Sequence, residues 1–158
     1  MGPGEPVAGA AVTVIAWDGH TLAADSQATV DNETIAQVRK IHVLGDGSAL
    51  SFSGLMEEGL VLKQWYENGA CPDRYPSFQT QDNRGPTTLV VASRDALIMF
   101  REQPVAIPIE MPYWAWGTGA QFALGALARG ADACEAVRVA CQFSPWCELP
   151  VTFHRVRP

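Results

Sequence analysis

Three times along this chain an apolar run stops at a short polar or glycine-bearing turn and a second apolar run begins, and this repetition restricts the fold to one built on antiparallel strands. In AVTVIAWDGHTLAADSQAT, residues 11–29, Thr13, Ile15 and Trp17 alternate with Val14, Ala16 and Asp18, and Thr21-Leu22-Ala23-Ala24 resumes after Asp18-Gly19-His20. Alternation of period two closed by a glycine reads as a β-hairpin. Residues 41–44 and 49–52 flank Gly45-Asp46-Gly47 in the same way, and TTLVVAS and ALIMFRE turn on Ser93-Arg94-Asp95. Asp25 falls at the end of the first hairpin. A carboxylate there, after four residues of little polarity, requires a partner, because an isolated charge is costly away from water.

Helical spacing appears between and after these hairpins. Residues 55–66 place Leu55, Gly59, Leu62 and Tyr66 on one face and stop at Asn68-Gly69, a helix C-terminal signal. Residues 70–86 hold three prolines among polar residues and read as a long loop. A proline-studded stretch from Pro104 to Pro112 leads into the short aromatic strand YWAWGTG. The Ala/Leu-rich residues 120–128 are helical, and Asp132 with Glu135 forms a D-x-x-E capping box for a further helix through Phe143. PVTFHRV closes the chain as a strand. Strands with helices between and after them indicate an α+β sandwich in which helices cover facing sheets.

With 158 residues the chain has the size of one domain, buries roughly two-thirds of its unfolded surface and is expected to form one core. Hydrophobic residues make up 47% and charged residues 18%, a globular balance. No apolar run approaches the ~20 residues that cross a bilayer, so no membrane role is expected. The stretch before Thr13, residues 1–12, has neither a basic region nor a long apolar run. It reads as a disordered extension or propeptide and not as a signal peptide, which makes the cytoplasm the expected location. The net charge is −6 with pI near 4.9, and the cations are scattered, which argues against a nucleic-acid partner. Cys71, Cys134, Cys141 and Cys147 form no C-x-x-C and have no histidine at ligand spacing, so no metal is expected. Cys134 and Cys141, seven apart on one helix, read as small core residues.

TVIAWDGHTLAADSQAT followed by VRKIHVL, SFSG and GTGAQFALGAL resembles a proteasome β-subunit, and more closely the shorter bacterial relatives that include the HslV-type peptidases. The order and spacing of these strings carry the resemblance, from Thr13 to Val156. It implies a four-layer αββα N-terminal-nucleophile (Ntn) hydrolase of two antiparallel sheets, a single domain over residues 13–158 acting as a threonine peptidase in stacked rings. In that class the threonine hydroxyl attacks the peptide carbonyl, and the free α-amine of the same residue, with an ordinary pKa of ~7.7–8.0, is its base. The resemblance makes Thr13 the nucleophile, Asp25 the buried aspartate and Lys40 the lysine that it orients. Gly54 stands where the oxyanion hole offers a backbone N–H, and Thr118 where a serine lies near the amine. No cofactor is implied. Lys40→Ala is expected to abolish turnover and leave the fold intact.

The chain departs from the family pattern in SPWCELP. Ser144 stands in place of the aspartate that supports the amine, Cys147 in place of a serine, and Glu148-Leu149 in place of two glycines. Ser144 can hydrogen-bond but carries no charge. The loop at 71–86 stands where larger relatives have a second helix, so one outer layer is expected to be thin. Taken singly, Asp25 also reads as a turn cap, Lys40 as a solvated strand charge, Gly54 as a helix-entry glycine and Thr118 as a turn residue. His20, His42 and His154 read as surface or strand positions.

Three functions remain open. The first is a peptidase of a homo-oligomeric ring acting on peptides or unfolded proteins, with an ATP-dependent unfoldase as a possible partner. The second is a catalytically silent ring subunit, and the third an Ntn amidohydrolase of a small amide. For the first, Thr13 must acquire a free amine. Val12 does not match the glycine of self-cleaving relatives. In a GC-rich bacterial gene, which the Gly/Ala/Pro/Arg usage suggests, a GTG codon at Val12 would start translation as methionine, and removal of that methionine would expose Thr13.

Overall fold

The computed structural model describes residues 13–30, 33–78, 86–145 and 147–158; the extension at 1–12 lies outside them. The first hairpin pairs β1 (Val14–Trp17) with β2 (Thr21–Ala24), Ile15 opposite Ala24 and Trp17 opposite Leu22. β10 (Trp114–Gly117) adds to the other edge of β1 and β11 (Thr152–Arg155) to the other edge of β2. The first sheet therefore has the order β10-β1-β2-β11, antiparallel throughout. The second has the order β5-β6-β7-β8-β9, from β5 (His42–Val43), β6 (Ala49–Ser53), β7 (Thr88–Ala92), β8 (Leu97–Phe100) and β9 (Ile107–Pro108). All three expected hairpins are present. The sequence reading missed β9, which lies in the proline-studded stretch, and the separate hairpin of β3 (Gln27–Val30) and β4 (Glu33–Gln37).

Strand alternation now accounts for the layers. On β1, Val14 and Ala16 face helices while Ile15 and Trp17 face the second sheet; on β7, Val90 and Ala92 face the first sheet while Leu89 and Val91 face outward. Both faces of β1 and β7 are thus covered, and the buried residues among those described divide into three clusters, not the single core expected from size alone. The middle cluster joins Ile15, Trp17, Leu22 and Trp116 to Ile41, Val90 and Leu97 between the sheets. The second lies under α2 (Ala120–Ala128) and α3 (Ala133–Phe143), where Ala123, Ala136, Val137 and Ala140 meet Val14, Ala16 and Ala23. Small residues on both partners let those helices lie close to the sheet. As expected, Asp132 caps α3, its side chain accepting the Glu135 N–H at 2.8 Å.

The third cluster packs α1 (Met56–Glu67) on the second sheet. The helix starts one residue later than the sequence suggested, and its buried face is Gly59, Leu62 and Trp65, with Tyr66 turned aside and half-buried. Trp65 takes the deep position because its ring meets Phe100 and Tyr75 edge-on, at centroid distances of 5.1 and 4.7 Å. The connection after α1 contains one turn of 3₁₀ helix, Pro72–Arg74, and residues 79–85 of the expected loop lie outside the described residues. Among the described residues α1 is the one α-helix on this face, and no helix is long and apolar enough to cross a membrane.

Candidate functional site around Asp25

Asp25 directly follows β2, where the strand turns out of the first sheet, and its side chain is fully buried. Five donors satisfy it. Oδ1 accepts the Thr13 hydroxyl at 2.8 Å, the Val14 N–H at 3.1 Å and the Lys40 ammonium at 2.9 Å. Oδ2 accepts the N–H groups of Gln27 at 3.3 Å and Glu148 at 3.2 Å. The partner that the sequence demanded is therefore a set, and the ionic member of it is Lys40, itself only 3% exposed. Burial holds the Lys40 ammonium below its ordinary value of 10.5, with the attraction and hydrogen bond of Asp25 opposing that shift. The Lys40 carbonyl is fixed by the Ser51 hydroxyl at 2.7 Å, which ties the segment before β5 to β6.

Thr13 immediately precedes β1 and is 1% exposed. Its hydroxyl and the Lys40 ammonium share one carboxylate oxygen, so a positive charge lies beside the threonine. The Thr13 carbonyl accepts long hydrogen bonds from the Thr118 hydroxyl and the Gly119 N–H, both at 3.4 Å. Gly117 is required by this approach. Its φ is 95°, and a Cβ there would stand 2.2 Å from the Thr13 carbonyl oxygen.

Thr13, Asp25, Lys40 and Thr118 are thus brought together from four separate segments of the chain. Gly54 shares none of the hydrogen bonds that hold Thr13 and Lys40 to Asp25. It follows β6 in the second sheet with φ of 122°, and a Cβ there would meet Thr87 Cα at 2.7 Å. The Thr87 hydroxyl accepts the next N–H, that of Leu55, at 3.2 Å and donates to Glu58 Oε1 at 2.7 Å. Sequence reasoning missed Thr87 and Glu58, since each is unremarkable in its own segment. Ser144 caps the C-terminus of α3 and reaches the cluster through Cys147, whose thiol its hydroxyl hydrogen-bonds. Glu148 enters through its backbone and not its carboxylate.

The burial of Lys40 corrects one expectation. Lys40→Ala would leave the Asp25 carboxylate without its counter-ion inside the protein, so the variant is expected to lose stability as well as chemistry. The histidines stand apart from the cluster. His20 is exposed beside the first turn, His154 lies on β11, and His42 is half-buried on β5, stacked on Phe52 at 6.2 Å. An open cleft of about 660 Å³ is lined by Arg39, Ile41, His42, Asp46, Lys63 and Tyr66, bordering the residues on either side of Lys40. Thr13 and Asp25 do not line it. Among the described residues no group of three or more His, Cys, Asp or Glu side chains is placed to hold a metal ion.

No protein-family model matches the sequence, and no curated protein does either. Solved structures do match. The chain is similar to BPH of Thiobacillus denitrificans, solved with epoxomicin, at 19% identity and TM-score 0.63, over 93% of this chain and 100% of that one. It is similar to HslV of Trypanosoma brucei at 20% identity and TM-score 0.64, over 91% and 99% of the two chains. A Gly-1 mutant of Anbu from Hyphomicrobium sp. strain MC1 matches at 12% identity and TM-score 0.65, over 90% and 80%. With two antiparallel sheets packed face to face and helices on both outer faces, the chain has the α+β, Ntn-hydrolase-type sandwich fold that these structures share.

Proposed function

We propose that the chain is a threonine peptidase subunit of a proteasome-like, ring-forming particle, latent while residues precede Thr13. The observation that carries this reading is the meeting of the Thr13 hydroxyl and the Lys40 ammonium on one Asp25 oxygen. Asp25 orients both groups, and the ammonium favours the anionic character that Thr13 Oγ1 gains as it attacks. While Thr13 is an internal residue its nitrogen is an amide and no base. Once released, the α-amine takes the hydroxyl proton as Oγ1 bonds to the substrate carbonyl carbon, then gives that proton to the departing amine. Water cleaves the resulting ester and restores the threonine. The Gly54 N–H supplies the oxyanion donor, and the Thr118 hydroxyl, near the Thr13 backbone, steadies the amine. A homo-oligomeric ring would enclose the site, and an ATP-dependent unfoldase would feed it.

The near-complete burial of Thr13 favours a second reading, a silent ring subunit in which the threonine is only structural. A chain beginning at Thr13 decides between them. It is expected to cleave fluorogenic peptides and to gain the mass of epoxomicin on Thr13, whereas the chain retaining residues 1–12 does neither until trimmed. A released chain that stays inert to peptides, small amides and epoxomicin while forming rings by light scattering would establish the silent subunit. Hydrolysis of small amides alone would establish the amidohydrolase.

A further inference from the structure

The end of α3 and its connection to β11 carry two thiols that the threonine chemistry does not use. Cys141 lies in the last turn of α3, and Cys147 lies just beyond the C-cap Ser144. Cys147 is buried in the helix-side cluster and Cys141, half-buried, packs against the same cluster. A Cβ built on Gly119 would stand 2.9 Å from the Cys147 sulfur and 3.3 Å from Ala140 Cβ. The Cys147 sulfur is therefore lodged against the helical turn that bears Cys141, and the two thiols are hydrogen-bonded. The next residue is Glu148, whose N–H donates to Asp25 Oδ2 at 3.2 Å and whose carbonyl accepts the Ser26 N–H at 2.9 Å. The thiol pair and the buried carboxylate thus share one short piece of backbone.

We propose that Cys141 and Cys147 are a redox modification site, converted by a hydroperoxide to an intramolecular disulfide that draws the Glu148 N–H away from Asp25. This goes beyond the peptidase reading and does not rest on it. The Cys141 thiol, the Ser144 hydroxyl and the Lys40 ammonium favour the Cys147 thiolate, against burial and Asp25, and its pKa is lowered; the bond to Cys147 and burial raise that of Cys141. Cys147 is therefore the attacking sulfur. Its thiolate bonds to one peroxide oxygen, the O–O bond breaks, and the departing hydroxide leaves as water with the proton that Cys147 gave up. The Cys141 sulfur then displaces hydroxide from the sulfenic acid, the S–S bond forms, and the Cys141 proton leaves with that hydroxide as a second water. Two thiols lose two electrons and the peroxide gains them. A dithiol reverses the step by exchange. Closing a hydrogen-bonded sulfur pair to a covalent bond of about 2.05 Å pulls residues 147 and 148 toward α3.

The test uses the full chain. It is treated with hydrogen peroxide, denatured, alkylated and digested with trypsin without reduction. Both sulfurs fall in the fragment spanning residues 139–155. That fragment is expected to lose the mass of two hydrogens and to resist alkylation until a dithiol is added, while Cys71 and Cys134 remain alkylated. In the native oxidised chain, amide exchange at Glu148 is expected to rise about tenfold, the change for one lost hydrogen bond. Cys141→Ser is expected to leave Cys147 as a sulfenic or sulfinic acid with no disulfide. Alkylation of both Cys141 and Cys147 after the peroxide treatment, or conversion of Cys147 to a sulfinic acid in the unaltered chain, would overturn the proposal. A disulfide with unchanged exchange at Glu148 would overturn its coupling to Asp25. The unaltered chain's own peptide map decides the pairing even if a variant misfolds.

Discussion

Replacing Lys40 by methionine keeps most of the side-chain volume and removes the charge, and its effect can be worked from the site. The Lys40–Asp25 pair is 2.9 Å long, with the partners 3% and 0% exposed. Removing one member of a buried pair costs about 3–5 kcal/mol, because the survivor is left charged and uncompensated. Asp25 would keep four donors, the Thr13 hydroxyl and the N–H groups of Val14, Gln27 and Glu148, so the lower end, about 3 kcal/mol, is expected. Against a total stability of about 5–15 kcal/mol the variant folds. For a chain of this size each kcal/mol shifts Tm by about 2–4 °C, which gives a fall of about 6–12 °C. Asp25→Asn removes the charge and keeps an acceptor oxygen for the Thr13, Val14 and Lys40 donors, while its amide nitrogen cannot accept the Gln27 and Glu148 N–H groups. The double variant Asp25→Asn/Lys40→Met removes both charges. Its loss is expected to be smaller than the sum of the single losses by about 2 kcal/mol. Thermal and denaturant unfolding of the four proteins measure this cycle. A Lys40→Met protein with unaltered Tm, or a strictly additive cycle, would refute the view that the pair is held as a buried unit.

Burial holds Lys40 below its ordinary 10.5, so its ammonium is lost earlier than a solvated lysine's as pH rises; peptide cleavage by the released chain is expected to show an alkaline limb below that value. The same limb in Lys40→Arg would show that another group titrates. Gly117→Ala would place a Cβ 2.2 Å from the Thr13 carbonyl at φ of 95°, and is expected to lower stability by at least about 1–3 kcal/mol of backbone strain. Gly125→Ala, where a Cβ meets nothing within 4 Å, is the control, and equal Tm values for the two would remove the steric argument.

Much of the architecture was legible in the sequence because its signals are local. The three hairpins follow from period-two runs around turn residues, α2 from its Ala/Leu content, and α3 from a cap whose hydrogen bond spans three residues. β9 and the β3–β4 hairpin were not legible, for their strands are short, polar or proline-bearing and acquire their structure from a neighbour. The rotation of α1 about its axis, with Trp65 inward instead of Tyr66, was decided by Phe100 and Tyr75 across the cluster. The sequence alone required that Asp25 have a partner, and the resemblance named Lys40. Only the tertiary structure showed that Thr13, Val14 and Lys40 converge on one oxygen, and that Glu148, 123 residues away, closes the set through its backbone. A backbone N–H carries no side-chain signature, so no motif could have announced it. The pairing of Cys141 with Cys147 was hidden for a related reason: helical spacing aligns residues three or four apart, and these two meet only because the chain folds back after the end of α3.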